Sequence, residues 1–158
     1  MFTVYEMRFG KKDIPSPEIE CVPFEGEVFD EYREQYESSY NAAFRPMREA
    51  LDIKPYNWFS DGGAVVKENR DIWLLIVDGV FIGSAACYGN EVDDLFVREE
   101  YLGKGYGRKL LIWAMNNMIN KGYNGIILHV AKWNERAVQM YLSEGFVIAG
   151  EEEIQNDQ

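Results

Sequence analysis

The chain has 158 residues, of which 47% are hydrophobic and 15% aromatic. This composition excludes a disordered chain, and the length fits one domain with one core. The 27 acidic and 16 basic side chains give a formal charge of −11, which argues against nucleic-acid and anionic-membrane partners, because both attract positive protein surfaces. No long uncharged apolar stretch occurs, and Glu6 and Arg8 lie where a signal peptide has its apolar core. We therefore expect a cytoplasmic protein.

The cysteine and histidine content is low. Cys21 and Cys87 lie far apart in the sequence, and His129 is the only histidine. These residues supply neither a disulfide framework nor the ligand set of a zinc site. We expect two free, structural thiols and no bound metal.

The N-terminal third of the chain predicts a strand, a loop and helical segments. Residues 2–9 are rich in β-forming residues, and three prolines mark residues 11–23 as a loop. From Val28 onward apolar residues recur at helical spacing. Pro46 interrupts this pattern, so we expect one helix up to about Ala43 and a short second helix after it.

Two aromatic features of this region each allow two interpretations. Tyr32, Tyr36 and Tyr40 form a stripe at four-residue spacing, which either packs in the core or lines a pocket; such stripes more often belong to the core. The segment Pro55–Gly63 is a loop rich in aromatic residues. It either folds down as a plug or forms a wall of a ligand site.

Three antiparallel strands are predicted in the middle of the chain. Asp71–Val77 is a strong strand, and Asp78-Gly79 supplies the two-residue turn to a return strand, Val80–Cys87. The chain turns again at Gly89-Asn90, and Glu91–Val97 forms the third strand.

The pattern after Val97 changes to a glycine-rich loop, a helix that stops at Lys121-Gly122, and a strand at Gly125–Ala131. Strand, helix and strand form a βαβ unit, whose two strands run parallel and adjacent. Asn134 then caps a last helix before a final strand. The predicted fold class is α/β in layers: a mixed, mostly antiparallel central sheet with one βαβ unit and about four flanking helices, in one domain over residues 1–158.

The loop Leu102-Gly103-Lys104-Gly105-Tyr106-Gly107-Arg108 joins a predicted strand to a helix N-terminus. Exposed backbone N–H groups and the helix dipole favour an anion there, and glycines let a phosphate approach the chain. The loop lacks the third glycine of the dinucleotide-binding pattern and the Lys-Ser/Thr pair of the P-loop. It therefore predicts a phosphate cradle of another kind; the alternative is a tight turn that simply needs glycine.

The segment from Leu95 to Leu111, with this loop at its centre, resembles the signature of the GNAT superfamily of acetyl-CoA-dependent N-acetyltransferases, whose core is R/Q-x-x-G-x-G/A. A second motif of that family follows at a matching distance: Leu128-His129-Val130, then Asn134, Ala137, Tyr141, Gly145 and Phe146. The resemblance covers roughly half of the chain, from about Asp71 to Phe146, and the two motifs together are specific. Leu102 stands at the R/Q position, so any side-chain contact that relatives make there to the pyrophosphate is lost, whereas backbone contacts are retained.

This resemblance implies acetyl-CoA as a co-substrate and no metal. The pyrophosphate of coenzyme A is then expected on the loop, and its pantetheine arm beside the preceding strand, which in relatives splays away from the next strand. The acetyl carbonyl is expected near the backbone N–H of Leu95, a possible oxyanion donor. The residues implied in binding coenzyme A are Leu95, Phe96, Val97, Leu102, Gly103, Lys104, Gly105, Tyr106, Gly107, Arg108, Asn134 and Tyr141.

The family reaction is direct attack of an amine on the thioester, which needs a base for the ammonium proton and an acid for the departing thiolate. Glu91 matches the position of a catalytic glutamate in some relatives, and Asp93 is the second candidate; alternatively, both belong to a solvated strand end. Strand alternation predicts that both acids share a face with Leu95. Tyr141 matches the family tyrosine whose hydroxyl points at the sulfur, so it is the candidate acid. His129 could also face the cleft, although a lone strand histidine is more often packed or exposed.

The expected function is therefore acetyl transfer from acetyl-CoA to a primary amine, by a monomer or homodimer. The alternatives are a non-catalytic acyl-CoA-binding or regulatory domain, and a protein N-acetyltransferase. Residues 98–136 carry seven basic and three acidic side chains, whereas residues 13–52 carry three basic and eleven acidic ones. Residues 98–136, implied to bind the coenzyme, are thus positive, and residues 13–52, implied to face the acceptor, are negative. This charge distribution predicts that the acceptor is a cationic amine.

Overall fold

Seven strands and three α-helices make up the part of the chain that the computed structural model describes, residues 1–59 and 71–156. The strands are β1 (Phe2–Phe9), β2 (Val22–Pro23), β3 (Asp71–Val77), β4 (Val80–Tyr88), β5 (Glu91–Val97), β6 (Ile127–Ala131) and β7 (Phe146–Ile154). The helices are α1 (Gly26–Ala50), α2 (Tyr106–Asn120) and α3 (Glu135–Ser143), and a 3-10 turn covers Glu99–Tyr101. None of the helices described is long and apolar enough to cross a membrane.

The strands form one sheet in the order β2-β3-β4-β5-β6-β1-β7. Neighbouring strands are antiparallel, except that β5 and β6 run parallel on either side of the crossover through α2. The predicted fold class, with its mostly antiparallel sheet and one βαβ unit, is confirmed.

Helix α1 runs without a break from Gly26 to Ala50, although Pro46 lies inside it. The prediction of two helices here is wrong, and the helices number three in the described ranges rather than about four. A proline removes one backbone N–H and crowds the preceding turn. Pro46 is exposed and close to the end of the helix, so few helical bonds remain for it to disturb, while the tyrosine stripe upstream holds α1 against the sheet.

Two apolar layers cover the two faces of the sheet. On the α1 side, Tyr36 is 2% exposed and packs with Phe81 and Phe96. The other layer is built from α2 and α3 and includes Val138 and Tyr141 of α3. Its fully buried residues include members of α2 and of β1, β3 and β6, among them Met7, Leu75, Leu110, Leu111, Met115 and Leu128. Tyr32, Tyr36 and Tyr40 are all buried. The stripe belongs to the core, and Tyr40 at its C-terminal end also lines a pocket.

Both thiols are free and buried, as predicted. Burial raises the pKa of Cys21 from 9.0 to about 12 and that of Cys87 from 9.0 to about 11. In the unfolded chain the thiols ionise from about pH 9 upward while the folded ones stay protonated. The stability that this difference provides is therefore complete below about pH 9 and is lost progressively as the pH rises.

We expect the free energy of unfolding to fall by about 1–2 kcal/mol per thiol between pH 8 and pH 10.5. Urea denaturation at the two pH values measures this fall. A Cys21→Ala/Cys87→Ala variant should lose that part of the pH dependence, and an undiminished fall in this variant would contradict the assignment.

Candidate functional site

The glycine loop presents its backbone to open space at the start of α2. Gly103 and Gly105 have φ of 78° and 85°, in the left-handed region, and a Cβ added at either would meet no atom within 4 Å. The first intrahelical bond runs from the Lys109 N–H to the Gly105 carbonyl at 3.1 Å. The amides before Lys109 in α2 therefore precede the helical ladder, as a site for an anion requires.

A cavity of about 350 Å³, here called the loop pocket, lies at this N-terminus between the loop and α3. The side chain of Arg108 is already paired, because its Nε donates to Glu144 Oε1 at 2.6 Å. Arg136 of α3 also lines the pocket, although the sequence analysis did not select it. The pocket is bounded by Val97, Tyr101, Leu102, Gly103, Gly105, Tyr106, Gly107, Arg108, Asn134, Arg136, Ala137 and Met140.

Strands β5 and β6 part after a short stretch of pairing. In the described structure they pair at Glu91 with Ile127 and at Val92 with Leu128 and no further. A second cavity of about 270 Å³, the middle pocket, lies beyond this point. Its walls come from β5, α1 and α3 and include Leu95, Phe96, Val97, Phe44, Met47, Trp133, Asn134, Ala137 and Tyr141. The expected splaying of the two strands is confirmed.

A third cavity of about 280 Å³, the inner pocket, continues from the middle pocket. The two share Leu95, Asn134, Ala137 and Tyr141 among their lining residues. The ionisable and phenolic groups of the inner pocket are Tyr40, Arg48, Asp93, Asp94, His129 and Tyr141. The structure therefore brings two of the three candidate catalytic residues, Asp93 and Tyr141, into one cavity.

The third candidate, Glu91, is connected to the inner pocket through the histidine. Glu91 Oε2 lies 3.0 Å from His129 Nδ1, and Glu6 Oε1 lies 3.7 Å from His129 Nε2. His129 lines the inner pocket and Glu91 does not. His129 therefore faces the cleft and is also exposed, so both interpretations given for it hold.

Burial is the main cause of the raised pKa of the two phenols in the inner pocket, those of Tyr141 and Tyr40. It raises the pKa of Tyr141 from 10.0 to about 12, with a smaller contribution from the charge of Asp93. Burial, and then the charge of Asp94, also raise the pKa of Tyr40, while Arg48 opposes the rise. The Tyr40 hydroxyl donates to Asp94 Oδ1 at 3.2 Å. Both phenols therefore keep their protons at neutral pH.

The sequence model of the acetyltransferase (GNAT) family matches residues 26–146. The chain belongs to this family. It is 33% identical over 54 residues to the thialysine N-epsilon-acetyltransferase of Bos taurus, a match that covers 34% of this chain and 32% of that relative. The chain thus spans about a third of the length of this curated relative.

Solved GNAT structures share the fold. An acetyltransferase of the family from Colwellia psychrerythraea superposes with a TM-score of 0.65 at 12% identity, over 94% of this chain and 53% of that one. A candidate streptothricin acetyltransferase from Bacillus anthracis, solved in complex with acetyl coenzyme A, superposes with a TM-score of 0.50 at 25% identity, over 61% of this chain and 58% of the other.

Strand β5 contains a bulge and so differs from the regular strand that was expected. Two residues of β5 stand opposite one residue of β4, and the bulge residue Asp94 has φ of 44°. Val92 and Leu95, three positions apart, consequently pack in the same layer under α2, which a regular strand does not allow. The prediction that Glu91 and Asp93 share a face with Leu95 is therefore wrong, because the bulge reverses the alternation between them.

The aromatic loop Pro55–Gly63 lies partly outside the described residues, from position 60 onward. In the described part, Phe59 is buried, and its backbone N–H and C=O both bond to the side-chain amide of Asn41 at 3.0 and 2.8 Å. Phe59 thus packs down onto α1, whereas Asn57 and Trp58 are exposed, so the choice between a plug and a wall stays a prediction for the loop as a whole. No cluster of His, Cys, Asp and Glu suited to holding a metal ion occurs among residues 1–59 and 71–156.

Sequence reasoning offered Tyr40 as a possible pocket residue but missed Phe44 and Arg48 of α1. Tyr40, Phe44 and Arg48 all line the inner pocket and recur at four-residue spacing, which puts them on one side of a helix. This signal was present in the sequence. It was hidden because Pro46 suggested that the helix ends before Arg48.

Proposed function

We propose that this protein, as a single domain over residues 1–158, transfers an acetyl group from acetyl-CoA to a primary amine of a small cationic molecule. The observation that carries the proposal is the continuous run of three pockets. They lead from an anion-favouring helix N-terminus, through the gap between β5 and β6, to a cavity with carboxylates and a protonated buried phenol.

The loop pocket and the middle pocket suit the two parts of coenzyme A. Backbone amides at the start of α2 bind the pyrophosphate, and Arg136 adds a positive side chain at the same pocket. The amide-rich pantetheine arm lies in the gap between β5 and β6, where the backbone groups of the parted strands need partners. Membership of a family that uses acetyl-CoA and likeness to an acetyl-CoA complex support this arrangement.

The chemistry requires the acceptor nitrogen to lose two protons and the sulfur to gain one. The ammonium group gives its first proton to a base, and the free amine then forms a C–N bond to the acetyl carbon while the C–S bond breaks. Tyr141 donates its proton to the departing thiolate, and the second proton of the attacking nitrogen restores the phenol. The buried site of Tyr141 keeps the phenol protonated until the thiolate develops.

Two routes are open to the proton that leaves the acceptor. Asp93 lines the inner pocket and can accept the proton directly. Glu91 can accept it through His129, whose Nδ1 lies 3.0 Å from the Glu91 carboxylate. In the second route the imidazole takes the proton on Nε2 and passes the proton of Nδ1 to Glu91, so Glu91 acts without touching the acceptor.

The acceptor side favours a small molecule. The inner pocket, at about 280 Å³, has the size of a metabolite rather than of a folded partner. Residues 13–52, which include most of α1, carry eleven acidic and three basic side chains, and such a field attracts cations. A relative is named a thialysine N-epsilon-acetyltransferase. A protein acceptor and a non-catalytic acyl-CoA-binding domain are the alternatives.

Purified protein with acetyl-CoA and a panel of polyamines, aminoglycosides, amino acids and N-terminal peptides tests the proposal through release of free CoA. We expect turnover with at least one small cationic amine, and a KM for it that rises with ionic strength because salt screens the acidic surface. Binding of acetyl-CoA without turnover of any amine would support the non-catalytic alternative. Turnover of peptides alone would support the protein acetyltransferase.

A further inference from the structure

The inner pocket contains a guanidinium group that an amine-binding site does not need. Arg48, in the last turn of α1, lines this pocket together with Asp93 and Asp94 of β5. A site for a simple cation gains nothing from an arginine, because like charges repel at this range. Arg48 can therefore meet a negative group on the molecule that fills the pocket, beside the carboxylates of Asp93 and Asp94.

The guanidinium is held in place and keeps unused capacity for hydrogen bonds. Its Nη1 donates to the Pro55 carbonyl at 2.9 Å, and its central carbon lies 5.2 Å from the centre of the Trp58 ring. Its buried Nε has no hydrogen-bond acceptor among the residues the structure describes. A buried donor without a partner costs free energy, and a planar guanidinium matches a carboxylate with two parallel bonds.

The charges of the pocket come from two elements. Asp93 and Asp94 belong to β5 and the guanidinium of Arg48 to α1, and Asp94 and Arg48 both act on the hydroxyl of Tyr40. A molecule with an ammonium group at one end and a carboxylate at the other would meet a group of opposite sign at each end.

We infer that the acceptor is an amino-acid-like amine and that Arg48 binds its carboxylate. This inference rests on the proposed acetyl transfer and narrows it to amines that carry a carboxylate. A diamino acid satisfies both the acidity of the acceptor side and Arg48, because it remains cationic overall while it offers one carboxylate.

Pairs of amines that differ only in the carboxylate test this inference. The pairs are L-lysine with cadaverine, L-ornithine with putrescine, and 2,4-diaminobutyrate with 1,3-diaminopropane. We expect kcat/KM to favour the carboxylated member in at least one pair. Arg48→Gln should lower that preference by about 10- to 100-fold through a higher KM for the carboxylated amine, and Arg48→Lys should restore only part of it.

Arg45→Gln is the matched control, because Arg45 lies one turn earlier on α1 and pairs with Glu49 on the surface. It should leave the preference unchanged. Partial misfolding of the Arg48 variants lowers both members of a pair equally, so the ratio remains informative. An unchanged ratio in Arg48→Gln, or a wild-type preference for the amines without a carboxylate, would overturn the inference. Absence of turnover with every amine would instead count against the proposed acetyl transfer.

Discussion

Replacement of Tyr141 by Phe is expected to lower kcat about 100-fold while leaving the Kd for coenzyme A unchanged. The variant keeps the ring, which packs against Phe146 with the ring centres 6.0 Å apart, and removes only the proton donor. Without that donor the leaving sulfur departs as an unprotonated thiolate. Steady-state kinetics and coenzyme A titration measure the two quantities.

The pH dependence of this loss tests whether the phenol acts in its protonated form. Because the pKa of Tyr141 is about 12, the wild-type phenol is protonated at every pH from about 6 to 9. The deficit of the Phe variant should therefore be the same throughout that range. Tyr123→Phe, at an exposed tyrosine between α2 and β6, is the control. Full activity in Tyr141→Phe would exclude the proposed acid.

The second large effect is expected at the glycine loop. Gly105→Ala should weaken binding of coenzyme A by about 10- to 100-fold. Gly105 is the N-cap of α2 with φ of 85°, and alanine disfavours that conformation by about 1 kcal/mol. Its methyl group would also occupy the open space that a phosphate needs, so the damage concerns the ligand more than the fold.

Gly122→Ala provides the matched comparison. Gly122 also has positive φ, 92°, and its added Cβ also meets no atom within 4 Å, but it lies beyond the other end of α2. Both variants should lose similar stability in thermal unfolding, and only Gly105→Ala should lose affinity in calorimetric titration. Equal affinities of the two variants would show that the loop does not cradle the phosphate.

The sequence predicted six of the seven described strands because their signals are local, and it wrongly placed the seventh, β2 (Val22–Pro23), inside a loop. The run Asp71–Val77, the Asp78-Gly79 turn and the strand at 91–97 were each found from residue type and spacing, and the structure confirms them. The glycine loop was predicted for the same reason, since left-handed backbone at Gly103 and Gly105 can be read from residue identity.

The failures came from features that depend on tertiary contacts. Pro46 lies within a helix that the packing of Tyr36 and Tyr40 holds in place, so local propensity gave the wrong boundary. The bulge at Asp94 has no glycine to announce it, and the alternation of β5 was therefore predicted as regular. Arg48 became visible as a site residue only when the fold placed the end of α1 beside β5.

The gap between β5 and β6 bears on whether two ligands can be bound at the same time. An intact sheet would separate the layer of α1 from the layer of α2 and α3, yet Phe44 and Met47 of α1 share the middle pocket with Ala137 and Tyr141 of α3. A passage through the sheet would let the proposed donor, held from one layer, and the proposed acceptor, held from the other, occupy the protein together. Such a passage favours a ternary complex, in which neither molecule has to leave before the other arrives.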